Sequence, residues 1–256
     1  MTDNALGQDL AGRLAVVTGG AQGIGRSIVE ALAEAGARLV VADLNPETGE
    51  RTAAEVGAEF VRIDVTSSAS VSQVVADLVG AHGSIDVWVN NASIDRNAAG
   101  EEMSERTGVP SWRSTWTAPS TAVARCADTC WSAAAAAASS STSLPCRGWS
   151  PTIRNLKWPT TPSKAGVIMM TKSLAGEWAS HGVRIDSLSP GYTATAILDQ
   201  VIEQQPKWTE SWFRETPMGR PARTHEVAAV VRFLASGVAS FMSGSNVVVD
   251  GGYTCW

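Results

Sequence analysis

The run Thr18-Gly-Gly-Ala-Gln-Gly-Ile-Gly25 stands between a short apolar stretch, 14–17, and a helical pattern, 27–35. Glycines at such a junction let backbone N–H groups approach a ligand closely. The N–H groups that open a helix carry partial positive charge, so the arrangement suits a pyrophosphate. Taken alone, the glycines would serve a plain turn equally well. Asp43 adds a second chemical group. It closes the next apolar stretch, 38–42, where a carboxylate is placed to accept hydrogen bonds from an adenosine ribose and to repel a 2′-phosphate. Asp43 would also serve as a loop acid or helix cap before Pro46. The glycine turn and the acid together predict NAD as cofactor, in preference to NADP.

Elements must hold these groups in place. From 13 to 43 the pattern reads strand, helix, strand, and the near-continuous apolar residues are those of strands buried on both faces of a parallel sheet. A second such unit follows, with helix 47–56, strand 59–63 ending at Asp64, helix 70–79 and strand 85–89 ending in Asn90-Asn91. Later come helix 163–180, strand 183–189 ending at Pro190-Gly191, helix 226–235 and strand 246–250. The alternation predicts an α/β fold, a doubly wound, mostly parallel sheet of Rossmann type in a single domain, 1–256. Ligands of such sheets bind outside the carboxyl ends of the strands. Gly19, Asp43, Asp64, Asn91 and Gly191 all fall there.

Composition narrows the partners. A length of 256 residues allows one such domain with a sizeable core. The net charge of −5 comes from intermixed acids and bases with no basic stripe, which argues against nucleic acid and anionic membrane and leaves a small molecule. No apolar run is long enough to span a membrane and 1–12 lacks the features of a signal peptide, so a cytoplasmic location is expected. Three of the four cysteines, Cys126, Cys130 and Cys146, lie in a compositionally anomalous segment, and neither a metal site nor a disulfide is expected.

The spacing Thr-Gly-x-x-x-Gly-x-Gly, with Asp64-Val65, Asn90-Asn91-Ala92-Ser93, Pro190-Gly191 and Asp250-Gly251-Gly252, resembles the short-chain dehydrogenase/reductase family over 13–106 and 163–256. The resemblance implies seven parallel strands, a homotetramer, and a cofactor site made of Gly19, Gln22, Gly23, Ile24, Gly25, Asp43, Leu44, Asp64, Val65, Asn91, Ala92, Ser93, Lys164, Pro190, Gly191, Thr193 and Thr195. Asp64-Val65 would flank the adenine, Asn91-Ala92 would pass beneath the cofactor, and Pro190-Gly191 with Thr195 would hold its carboxamide and pyrophosphate. Ser93 stands where the family usually has glycine. Resemblance in Pro190-Gly-Tyr-Thr-Ala-Thr195, in 206–212, in Thr216-Pro-Met-Gly-Arg220 and in the ending Asp250-Gly-Gly-Tyr-Thr-Cys-Trp256 implies a polyol substrate. Separately, Trp208, Trp212 and Phe213 among polar residues in the long connection 194–220 read as a substrate lid or, equally, as a fixed interface loop. The reaction implied is NAD-dependent interconversion of a secondary alcohol and a ketone. A steroid or acyl-carrier ketone reductase and a catalytically dead dinucleotide-binding protein remain open.

The family's chemistry needs a tyrosine four residues before a lysine on one helix face. The ammonium lowers the phenol's pKa, so that a phenolate exchanges a proton with the substrate hydroxyl. Lys164 lies in Ser163-Lys164-Ala165-Gly166, the family's usual setting for that lysine, but four residues earlier stands Thr160, whose hydroxyl is far less acidic than a phenol. The departure extends over 107–162, which has no Phe, Met or Glu, few large aliphatics, an alanine run at 133–138 and half of the chain's ten tryptophans. By pattern, such a segment supplies neither a buried helix nor a buried strand.

It reads instead as a GC-rich gene translated out of frame, the alternative being a divergent insertion of low complexity. A codon straddling two residues has its last two bases fixed by the second of them. From Trp158 onward the straddling codons spell Ala, then two positions each limited to Tyr, His, Asn or Asp, then Ala, Ser, Thr or Pro, before the in-frame Ser163-Lys164. This matches the family's Ala-Tyr-x-Ala-Ser-Lys. From 139 to 148 they permit Ile-Val-Asn-Leu-Ala-Ser-Met-Ser-Gly, like the family's fifth strand and catalytic serine, with the serine at the Leu144/Pro145 junction. Around Trp116-Thr117-Ala118-Pro119 they permit Leu-Asp-Gly-Ala-Phe, like its central helix.

Overall fold

Leu14–Thr18 is buried at every position, which a strand achieves only when both of its faces are covered. The computed structural model describes residues 9–93, 134–138 and 160–255. Within them the chain runs β1 (Leu14–Thr18), α1 (Gly23–Glu34), β2 (Arg38–Asp43), α2 (Pro46–Val56), β3 (Glu59–Arg62), α3 (Ser68–His82), β4 (Val87–Val89), β5 (Ala134–Ala138), α4 (Thr160–Trp178), β6 (Arg184–Pro190), α5 (Ala196–Gln204), α6 (Pro206–Glu215), α7 (Thr224–Ala235) and β7 (Asn246–Val249). All seven strands pair in parallel, in the order β3-β2-β1-β4-β5-β6-β7. The expected doubly wound sheet is therefore present.

Strand alternation divides the core in two. Ala15 and Val17 of β1, Val41 of β2 and Val87 and Val89 of β4 meet Ile28, Val29 and Leu32 of α1 and Val227, Val231 and Leu234 of α7. Their sequence neighbours Leu14, Val16, Val40 and Trp88 point the other way, onto Val71, Val74, Val75 and Leu78 of α3 and Ala175 of α4. Each buried Val, Leu or Ile among them contributes about 1.5–3 kcal/mol. The central strands thus hold helices to both faces, and their carboxyl ends form one ledge.

Helix ends follow from local chemistry. The Asn45 side chain accepts hydrogen bonds from the Glu47 and Thr48 amides, Pro46 opens α2, and Gly57 in the left-handed region ends it. Helix α1 begins at Gly23, earlier than the apolar pattern from 27 suggests, because the last glycines of the turn form its first turn.

Two expectations need correction. The anomalous segment does supply a strand: Ala134–Ala138 forms β5, paired with β4 and β6. A ladder is made by backbone groups, and alanine presents no steric obstacle to a strand flanked on both sides. The segment also supplies the start of α4, at Thr160. The stretch 194–220, read from sequence as a long connection, contains α5 and α6. The out-of-frame strings at 139–148 and around 116–119 lie outside the described residues.

A bidentate ion pair ties the entry of α7: Arg220 donates to both carboxylate oxygens of Glu226 at 2.7 and 2.8 Å, and the Arg223 amide donates to one of them at 2.7 Å. The Arg220 hydrogen bond, then the Arg223 amide, holds the Glu226 carboxyl down at about 2, from an ordinary 4.5. A depressed carboxylate contributes stability that is complete above its ordinary pKa and is lost as pH falls toward the folded value. Glu226→Gln should therefore lower the melting temperature at neutral pH, with a difference that shrinks between pH 4.5 and 2 and, the pair being exposed, also shrinks in salt. A difference independent of both would contradict this assignment.

Candidate active site

Strand order reverses between β1 and β4, and the turn after β1 enters that switch point, where open α/β sheets bind ligands. Gly19 and Gly23 both have positive φ, 64° and 57°. A Cβ on Gly19 would come within 2.9 Å of Ala92 Cα. On Gly25 it would lie 2.5 Å from Asn91 Nδ2 and well inside contact distance of the Gly19 carbonyl oxygen. Two glycines are thus demanded by the turn's packing against the end of β4. Gln22 is extended and gives the first turn of α1 no side-chain cap, which leaves the amides of Gly23, Ile24 and Gly25 at an uncapped helix start. The Ile24 side chain itself is buried in the core.

Both neighbouring strands pin this turn. From the β2 side, Asp43 Oδ2 accepts the Ala21 amide at 3.1 Å and Oδ1 accepts the Asn45 amide at 3.1 Å. Gly19 N–H donates to the Ala42 carbonyl at 2.8 Å, and the Thr52 hydroxyl donates to the Ala21 carbonyl at 2.9 Å. From the β4 side, Asn91 Nδ2 donates to the carbonyls of Thr18 and Gly19 at 3.1 and 3.0 Å. The Thr18 hydroxyl accepts the amides of Asn91 and Ala92, both at 3.1 Å, and donates to Val89 O at 3.2 Å. Asn91 Oδ1 is buried without a hydrogen-bond partner among the described residues.

Other expected residues gather on the same ledge. Asp64 accepts the amide and hydroxyl of Thr66 at 2.9 and 2.7 Å, so its carboxylate shapes the turn after β3. Val65 packs beside it on the core, and Leu44 is exposed. At the end of β6, Gly191 packs so closely that a Cβ would meet Asp250 Cα at 2.8 Å. Beyond Pro190, Thr193 donates to the Gly191 carbonyl at 3.0 Å. Thr195 caps α5, and its methyl group would lie 3.7 Å from a Cβ on Gly23, which brings the start of α5 against the glycine turn. Lys164, one turn after Thr160 in α4, is 6% exposed, and its ammonium donates to the Ser93 hydroxyl oxygen at 3.3 Å. Leu144 and Pro145, where a serine is expected, lie outside the described residues.

Sequence reading missed three features. Thr18 is a hydrogen-bonding hub, and only its place before the first glycine hints at that. Tyr192 stacks on Trp212 of α6 with centroids 4.5 Å apart and meets Tyr253 edge-on at 5.4 Å, which locks α6 to the end of β6. The Ser93–Lys164 contact joins residues far apart in sequence, and no pattern announces it.

The donors fit a dinucleotide phosphate: a glycine turn with no room for a Cβ at Gly19 or Gly25, an uncapped helix start, and an acid at the end of the adjacent strand. Comparison with known proteins agrees. A family model described as enoyl-(acyl carrier protein) reductase matches residues 19–254. Galactitol 2-dehydrogenase (L-tagatose-forming) from Cereibacter sphaeroides is 35% identical over 253 residues, covering 96% of this chain and 97% of that one. Among solved structures, gox2181 superposes with a TM-score of 0.90 at 32% identity, over 97% of this chain and 98% of that one. The RhlG/NADP active-site complex of Pseudomonas aeruginosa gives 0.87 at 25% identity, over 97% and 99%. The chain belongs to the short-chain dehydrogenase/reductase family, whose members are oxidoreductases that use a nicotinamide dinucleotide. Among the described residues, no helix is long and apolar enough to cross a membrane.

Gly25→Ala tests the cradle directly. The added methyl should destabilise the fold by about 1–3 kcal/mol, the range for overpacking. Gly80→Ala on α3, where a Cβ meets nothing within 4 Å, should be neutral or slightly stabilising. Equal melting curves for the two variants would contradict the packing described.

Proposed function

We propose that this chain binds NAD, and that with its reading frame restored across 107–162 it interconverts a secondary alcohol and a ketone, with a polyol as substrate class. The observation that carries the cofactor choice is Asp43. Its carboxylate lies against the glycine turn at the end of β2, accepting the Ala21 amide in a part-buried setting, and a 2′-phosphate beside it would meet a like charge. The structural neighbour with NADP makes this choice a real one to test. The polyol class draws support from the galactitol 2-dehydrogenase relative and from the Pro190–Thr195 and C-terminal motifs.

When bound, the dinucleotide supplies or accepts the hydride. The protein must hold it and move the proton. Backbone amides at the start of α1 would hold the pyrophosphate, Asp43 would accept from the adenosine ribose, and Thr193 and Thr195 would close the far side. Lys164 stands ready to lower the pKa of a phenol one turn earlier, but Thr160 offers none. The chain as written therefore binds cofactor without turning over alcohol. A substrate lid at 194–220, cytoplasmic location and a homotetramer belong to the same proposal.

Two measurements test it together. Fluorescence titration of the chain should give tighter binding of NADH than of NADPH, with a preference that weakens as salt screens the carboxylate. Equal or reversed affinity would sink the NAD assignment. Assayed by NADH absorbance against polyols and secondary alcohols, the chain and its Thr160→Tyr variant should both be inactive and the frame-restored protein active. A lone phenol restores at most one proton-transfer contribution, about 10²–10⁴-fold, and only if its surroundings hold it in place. Robust turnover by the mass-verified chain would overturn the frame argument.

A further inference from the structure

Ser93 is a departure from the family pattern that the sequence leaves without a role. In the structure its hydroxyl oxygen accepts a hydrogen bond from Lys164 Nζ at 3.3 Å. Ser93 is half-buried and Lys164 is 94% buried. A lysine ammonium on a flexible four-carbon stem loses much rotamer freedom when it is aimed, and burial makes each hydrogen bond to the charge worth more than it would be in water. A glycine at 93 would offer no side-chain acceptor at this point.

The topology says where the ammonium is held. Strand β1 and its glycine turn lie between β2, which ends in Asp43, and β4, which leads through Asn91 and Ala92 to Ser93. Ala92 touches Gly19, so Ser93 is one residue beyond the wall of the phosphate cradle. A dinucleotide with its adenosine ribose at Asp43 and its pyrophosphate at the turn must place its second ribose on the β4 side. That is the side on which Lys164 is held.

We infer that Ser93 is a positioning residue for Lys164: its hydroxyl holds the buried ammonium toward the second ribose of the bound dinucleotide. This rests on the dinucleotide reading of the site. Ser93 itself need touch neither cofactor nor substrate. It acts by fixing the direction of a charge whose own contacts with ribose hydroxyls are direction-dependent.

The test uses the full chain and compares two ligands, NADH and ADP. ADP carries the adenosine ribose and both phosphates but no second ribose. Ser93→Ala should weaken NADH binding on the order of fivefold, the size of coupling seen between hydrogen-bonded neighbours, and leave ADP binding within about twofold. Ser93→Thr, which keeps the hydroxyl, should restore NADH affinity. In a Lys164→Met background, Ser93→Ala should have no further effect on NADH. Equal losses for NADH and ADP would show a structural role only and overturn the inference. So would unchanged NADH binding in Ser93→Ala, or an undiminished Ser93 effect without the lysine. If the unsubstituted chain binds ADP and not NADH, the inference falls while the phosphate cradle stands. If it binds neither, the dinucleotide reading itself fails.

Discussion

At the reversal of strand order, two carbonyl oxygens, those of Thr18 and Gly19, would point into a buried crevice with no strand left to pair them. The Asn91 side chain supplies both missing donors, and the Thr18 hydroxyl returns the exchange by accepting the amides of Asn91 and Ala92. A buried carbonyl or amide left unpaired costs about 1–3 kcal/mol, so this seam decides whether the ends of β1 and β4 stay together. The glycine turn depends on it, because the turn packs against Ala92 and Asn91 too closely for any side chain at Gly25. The ledge that gathers Asp43, Gly191, Thr195 and Lys164 depends on the turn.

In the proposed NAD reading, Asp43 would combine recognition with architecture in one group. Its two oxygens already accept amides from Ala21 and Asn45, yet a carboxylate has about four acceptor sites, so it retains capacity for ribose hydroxyls. Replacing it to change cofactor preference would also release the glycine turn. The same economy holds at the end of the chain, where Asp250 accepts the amides of Gly252 and Thr254 at 2.9 Å and folds the Gly-Gly turn that carries Tyr253 to Tyr192.

Much of this was legible in the sequence because it is local. Continuous apolar runs reported the strands buried on both faces, the glycine spacing reported the turn, and Asp43, Asn91 and Gly191 each followed a recognisable strand. What escaped is what tertiary structure decides. The alanines of β5 carry no β-propensity and form a strand because β4 and β6 offer ladders on both sides. Helices α5 and α6 are short, and α6 is held by the stacking of Trp212 on Tyr192, a contact across twenty positions that periodicity does not report. The Ser93–Lys164 hydrogen bond spans 71 positions and depends on how α4 lies against the end of β4. The missing phenol was legible as a break in pattern, since Thr160 stands four residues before Lys164 in an otherwise matching Ser163-Lys164-Ala165-Gly166.

The central claim is that the ledge around the β1 turn is assembled in this chain and receives a dinucleotide even though the catalytic phenol is absent. Hydrogen exchange at the amides of 19–25 and of Asn91 and Ala92, followed with and without saturating NADH, tests it most directly. Slow exchange is expected at Asn91 and Ala92 in the free protein, from their bonds to Thr18, with a marked slowing at Gly23, Ile24 and Gly25 when NADH is added. Fast exchange at Asn91 in the free protein, or no change at the start of α1 with NADH, would contradict it.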